Sequence, residues 1–119
     1  MNVSAADLML RDPKTLTAEA SVAEARELLA NPKVQMVLLA DGPAFKGAVT
    51  HIPDEASPRE RAVDYVDTDT EVISPDASDD EAFERTAASP NRRVIVLDEN
   101  GGLLGLLCLN KSRTDFCRS

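Results

Sequence analysis

Two stretches of the chain, Thr17-Ala-Glu-Ala-Ser-Val-Ala-Glu-Ala-Arg-Glu27 and Ser74-Pro-Asp-Ala-Ser-Asp-Asp-Glu-Ala-Phe-Glu84, carry one pattern 57 residues apart, with Ser21 facing Ser78. Held from Asp12 to Asp41, that offset gives nine identities in thirty positions, among them Ala20/Ala77, Glu24/Glu81, Ala25/Ala82, Val37/Val94 and Asp41/Asp98. Chance would supply about two or three in a chain this rich in Ala and Asp. One inserted residue then moves the offset to 58 and pairs Gly47 with Gly105. The chain is an internal duplication, so its fold is a small unit built twice.

Each half has the same plan. A short extended piece comes first, Lys14 to Thr17 and Glu71 to Ser74, next to Pro13 and Pro75. Ser21 with Glu24 and Ser78 with Glu81 then form Ser-x-x-Glu capping boxes, in which each side chain satisfies the other residue's free backbone N–H. The spacing predicts a helix over 22–30 with Val22, Ala25, Leu28 and Leu29 on one face, stopped by Asn31-Pro32, and a second over 79–88 stopped by Ser89-Pro90. Val34 to Ala40 and Val94 to Leu97 are short, nearly continuous apolar runs, the mark of strands buried on both faces. Asp41-Gly42-Pro43 and Asp98-Glu99-Asn100-Gly101-Gly102 turn the chain into Phe45 to Thr50 and Leu103 to Leu109, which gives a hairpin in each half. Residues 53–66, entered through Pro58, are expected to be helical, with Arg61, Ala62 and Tyr65 on successive turns. Lys111 to Ser119 leave room for only a short or frayed counterpart.

The expected fold class is therefore α/β (α+β): two βαββα repeats, the first over 1–57 with its second helix running to about 66, the second over 64–119, packed together as one module because neither buries its apolar face alone. The missing last helix would leave apolar surface over Leu103 to Leu109, from which a homodimer is expected.

Composition bounds the function. The 119 residues are 43% apolar, which suits one globular module, and they carry one Tyr, three Phe and no Trp. Aromatic platforms for stacking exposed bases are therefore missing. A net charge of -8 repels nucleic acid and anionic membrane. No stretch approaches the roughly 20 apolar residues of a membrane span, and the N-terminus lacks a basic start followed by an apolar run. Cys108 and Cys117 are expected to be reduced thiols, and the location cytoplasmic.

No constellation for catalysis is legible. His51 is the single histidine; with Asp54 and Glu55 it reads as a solvated helix start rather than a metal site, the carboxylates suiting the helix dipole. Gly101-Gly102-x-x-Gly105 opens a strand and not a helix, so it is a hairpin turn and not a dinucleotide fingerprint. Cys108 has no base and orienting partner in evident reach. The expectation is a protein that is not an enzyme and has no metal or cofactor.

Asp7-Leu8-Met9, Arg11-Asp12-Pro13, Thr15-Leu16-Thr17, Ser21-Val22-x-Glu24-Ala25 and the strand closing on Asp41 resemble a CBS domain. Arg92 to Leu107, reading RRVIVLDENGGLLGLL, resembles the same part of a second one. The resemblance covers residues 7 to about 113 and implies a tandem CBS pair (a Bateman module): two repeats related by a pseudo-twofold axis, which often dimerise. It further implies adenosine-containing ligands (AMP, ADP, ATP or S-adenosylmethionine) bound in clefts between the repeats, and a signal passed to a regulated partner protein.

The family's ligand motif is a Gly at the head of the third strand, a Ser or Thr three positions later and an Asp three beyond that. The hydroxyl bonds a phosphate or ribose oxygen and the carboxylate accepts from ribose hydroxyls. The first repeat has Gly47 and Thr50, but Pro53 at the Asp position and Asp54 one residue late. The second has Gly105, then Cys108 and Lys111. A basic residue near the start of the second strand, which in the family often reaches phosphate, corresponds to Met36 and Arg93. The candidate ligand residues are thus Thr50, Asp54, Asp69, Arg93, Lys111 and Lys14, with Arg93, Lys111 and Lys14 expected to favour an anion. Two functions stay open: a ligand-sensing regulatory module, and a structural or dimerisation module that has lost ligand binding.

Overall fold

Ser21 Oγ accepts the Glu24 backbone N–H and Ser78 Oγ that of Glu81, both at 3.2 Å, and a helix follows each serine. In the computed structural model, which describes residues 3–11, 13–32, 34, 36–67 and 70–116, these are α2 (Val22–Leu29) and α3 (Asp79–Ala88). The capping boxes are half-formed: Glu24 and Glu81 are exposed and leave their carboxylates in water instead of returning the bond. A carboxylate does reach back at a third N-terminus, α1 (Ala5–Leu8), where Asp7 accepts from the Ser4 N–H at 2.9 Å and the Ser4 hydroxyl at 3.1 Å. These bonds, the backbone one foremost, hold the Asp7 carboxyl below its ordinary value.

The described residues form mixed α+β structure with two sheets, in two units. The central unit, Lys14–Thr70, is one continuous segment; the split unit joins Met1–Pro13 to Glu71–Ser119. In the central unit β2 (Thr15–Leu16) runs parallel to β3 (Val37–Asp41), and β3 pairs antiparallel with β4 (Ala44–Val49). Asp41 faces Ala44 across the two-residue turn Gly42-Pro43. Gly42, at φ 59, takes the first turn position, which a II′ hairpin reserves for glycine. Val22 and Ala25 of α2 pack on Val37, Leu39 and Val49 from alternate positions of the strands, with Ile52, Ala56 and Ala62 closing the core. Leu38 and Ala40 are buried as well, so β3 is covered on both faces, as its unbroken apolar run requires.

In the split unit the sheet order is β1-β7-β6-β5, with β1 (Leu10–Arg11), β5 (Val72–Ile73), β6 (Arg93–Leu97) and β7 (Leu103–Cys108). β5 lies parallel to β6, and β7 lies antiparallel to both β6 and β1. Ala5, Ile73, Ala82, Val94, Val96 and Leu107 form its core.

The duplication reaches further than the sequence pattern indicates. Ala5 donates its N–H to Ala77 O at 2.8 Å, and 57 residues on, Ala62 donates to Ala20 O at 2.9 Å. Asp79 donates to Val3 O, as Val22 does to Glu60 O. Helix α1 thus has a repeat counterpart, the 3₁₀ turn Ala62–Tyr65. Each unit is closed by such a turn and the extended residues after it. In the central unit they follow β4; in the split unit they come from the chain start, so the split unit is a circular permutation of the central one.

Three expectations are corrected. Residues 53–66 are not an α-helix. They form turns and then the 3₁₀ turn, because Arg26 Nη2 draws the carbonyls of Pro53, Asp54 and Ala56 to 2.8, 3.3 and 3.0 Å and so removes them from an i→i+4 ladder. Residues 111–116 contain no helix either. They curl back so that Leu109 bridges Phe116, while Asn110 Oδ1 accepts from the Thr114 N–H at 3.0 Å. Nor is β7 bare: β1 covers its edge, and Leu107, Cys108 and Leu109 are buried. That removes the premise from which a homodimer is expected.

Candidate functional site

Gly47 sits in β4 at φ 141, and a Cβ there would come within 2.6 Å of Val66 Cγ1. Its missing side chain lets the segment after the 3₁₀ turn lie on the strand. The Asp67 N–H then donates to Ala48 O at 2.8 Å, which sets the Asp67 side chain beside the strand's end. There the Thr50 hydroxyl donates to Asp67 Oδ2 at 2.6 Å, and the Thr70 hydroxyl donates to the Asp67 carbonyl at 3.3 Å. Thr50 and Asp67 are both half-buried, a setting in which a charge-assisted bond is stronger than in water. The 3₁₀ turn is tied down by the Tyr65 hydroxyl, which donates to the Glu60 carboxylate. That bond, with some burial and the charges of Glu60, Asp64 and Glu55, raises the phenol's pKa.

Thr50 and Asp67 meet although seventeen residues separate them, and Asp67 is a site residue that motif spacing does not reveal. The signal that finds it is the repeat offset carried backwards. At 57 residues Ala5 matches Ala62 and Asp7 matches Asp64, and Asp67 then falls opposite Leu10. Asp54, the expected late carboxylate, is exposed, and only its backbone carbonyl is engaged, by Arg26. His51 is exposed beside it, and Lys14 is exposed in the same unit. Asp69 lies outside the described residues. Among those described, no group of three His, Cys, Asp or Glu side chains could hold a metal ion.

The split unit presents a different strand end. Gly105 does the work of Gly47, for a Cβ there would meet Met9 Sδ at 2.5 Å and Leu10 O at 2.6 Å. The position of Thr50 is Cys108, buried and disulfide-bonded, which corrects the expectation of reduced thiols; the chain's other cysteine, Cys117, is outside the described residues. Arg93 Nη1 donates to the carbonyls of Asn91 at 3.2 Å and Arg92 at 3.1 Å, and Arg92 Nη1 to Leu109 O at 3.2 Å. Burial, and secondarily the Arg92 charge, lowers the Arg93 pKa. Lys111 is exposed. The six expected ligand residues are thus divided: Thr50, Asp54 and Lys14 belong to the central unit, Arg93 and Lys111 to the split unit, and Asp69 is undescribed.

Residues 5–51 match the family model of the CBS domain. The fold is that of CBS-pair structures. The cystathionine beta-synthase pair domain of a protein from Shewanella oneidensis MR-1 superposes with a TM-score of 0.80 at 18% identity, over 96% of this chain and 68% of that one. CBSX2 from Arabidopsis thaliana gives 0.74 at 19% identity, over 91% and 89%. CBSX2 in complex with AMP gives 0.71 at 19% identity, over 92% and 91%. No curated protein matches the chain. The chain contains a CBS domain and has the fold of a CBS pair. Among the described residues no helix is long and apolar enough to cross a membrane.

Proposed function

We infer that the chain is a regulatory module, without catalysis of its own, that senses an adenosine-containing ligand and passes the change in its conformational populations to a partner protein. The observation that carries this reading is the half-buried Thr50–Asp67 pair at the end of a strand opened by Gly47. It restores the hydroxyl and carboxylate that the family's ligand motif combines, although Pro53 occupies the usual carboxylate position. The AMP complex of CBSX2, a protein of the same fold, supports the ligand class. A cytoplasmic location and a homodimer belong to the same proposal; Val72, Phe83 and Leu104, exposed on the split unit, offer apolar surface for self-association.

Thermal denaturation of the full chain with adenosine, AMP, ADP, ATP and S-adenosylmethionine tests the reading. A ligand that binds the native state adds about 2.7 kcal/mol at a hundred times its Kd, so at least one compound is expected to raise Tm clearly. A flat response across the panel overturns the reading. It would favour a structural or dimerisation module, to which the disulfide-bonded Cys108, Pro53 and Lys111 at the second and third motif positions already point. Light scattering after size exclusion would then be expected to show a dimer indifferent to nucleotide.

A further inference from the structure

We propose that Asp67 sets the ligand preference of the central unit: with Thr50 it forms a negatively charged, acceptor-only pair that takes paired hydroxyl donors of an uncharged or cationic adenosine compound and turns phosphate away. This rests on the functional reading above and names the part of the ligand that this strand end meets. The Thr50 proton is directed at Asp67 Oδ2, so what the pair offers a ligand is the lone pairs of Thr50 Oγ1 and the second carboxylate oxygen, Oδ1. A vicinal diol brings two donors to two acceptors. A phosphate brings only acceptors and a like charge, and it finds neither donor nor counter-charge here. Arg26, the cation of the adjoining helix, is turned to the carbonyls of 53–56, while Asp54, Glu55 and Asp64 on the flanking segments are acidic.

The scaffold does not demand a carboxylate at this position. Its repeat counterpart is Leu10, which pairs with Leu106 across β1 and β7 and closes the split unit with an apolar side chain. The backbone path is the same in both, a segment laid on a strand glycine, so the exchange of Leu for Asp changes what the strand end recognises and not how the segment is held.

The test is calorimetric titration of the full chain and its Asp67→Asn variant with adenosine, S-adenosylmethionine, AMP and ATP. Asparagine keeps an oxygen for the Thr50 hydroxyl and removes the charge, so Tm should hardly move. The wild type is expected to bind adenosine and S-adenosylmethionine more tightly than AMP and ATP. Asp67→Asn is expected to shift the AMP-to-adenosine affinity ratio toward AMP by about tenfold, the size of one removed like-charge contact near a protein surface. Asp67→Leu, the residue of the sibling repeat, is the second variant and should lose adenosine's advantage altogether. A wild type that prefers AMP or ATP, or a ratio that neither variant moves, overturns this proposal and leaves the sensing function standing. A wild type that binds none of the four overturns both.

Discussion

Arg26 and Phe83 occupy the same position of the two repeats, on the same face of equivalent helices, and both hold down the segment that follows the unit's last strand. Arg26 does so with a guanidinium set against three backbone carbonyls. Phe83 does so with an edge-to-face contact to Phe116, ring centroids 6.1 Å apart and planes at 81°. The difference follows from what lies beneath. Residues 53–56 turn tightly and present carbonyls that need donors. Residues 110–116 satisfy their own turn through the Asn110 side chain and leave an aromatic ring to cover. A duplicated fold preserves the task of a position and lets its chemistry drift, and the same division separates Asp67 from Leu10 and Thr50 from Cys108.

The glycines are the place to strike hardest at this parallel. Gly47→Ala meets both the Val66 side chain and a φ of 141 that alanine rarely adopts. Crowding and backbone strain each cost about 1–3 kcal/mol, so a loss of about 3 kcal/mol is expected from urea denaturation. Gly105→Ala has only the contact with Met9 and Leu10 to relieve and should cost about 2 kcal/mol. Equal losses would mean that the φ of Gly47 carries no strain. Gly47→Ala should also weaken adenosine binding, because it lifts Val66 and Asp67 off the strand; Gly105→Ala should not.

What was legible in the sequence follows this line between task and chemistry. Helices α2 and α3, the hairpins and the buried strands β3 and β6 could be read because their signals are local: a serine before an apolar face, prolines after it, an unbroken β-branched run. The 3₁₀ turn was misread as a helix because the residue that unmakes it, Arg26, lies twenty-seven positions before Pro53. The pairing of Thr50 with Asp67 was hidden for a like reason, as it depends on Val66 lying on Gly47. Of the candidate site, Thr50 was found and its partner was not. The thiol state of Cys108 was also misread, since spacing is silent on whether two cysteines meet.

A smaller effect is expected from exchanging the clamps themselves. Arg26→Leu keeps the helix and the apolar stem but leaves the carbonyls of 53–56 without their donor. Hydrogen bonds to a charged group contribute about 1.5–3 kcal/mol, and with Arg26 half-buried the lower end applies, about 1.5 kcal/mol. Phe83→Leu removes the ring contact from a side chain that is 38% exposed and should cost about 1 kcal/mol or less. Hydrogen exchange would separate the two, with new exchange over 53–60 in the first variant and over 110–116 in the second. Protection lost in the same segment in both would break the equivalence of the two clamps.

The smallest contrast lies at the caps, where the two repeats agree most closely in sequence. Ser21→Ala and Ser78→Ala each remove a side-chain acceptor from a helix's first turn, a loss of about 1 kcal/mol for an ordinary cap. The local surroundings differ, however. The Asp79 carboxylate accepts from the Asp80 N–H at 2.9 Å, and Asp79, Asp80 and Glu81 crowd the positive end of α3, so one first-turn donor and the helix dipole are served without Ser78. Helix α2 has only Glu24 there. Ser21→Ala should therefore cost about 1 kcal/mol and Ser78→Ala about half of that, measured as a difference in urea midpoint at unchanged slope. Should Ser78→Ala prove the costlier of the two, the acidic first turn of α3 would be a burden relieved by the cap, and its charges would have to be ascribed to the surface they present and not to the helix they begin.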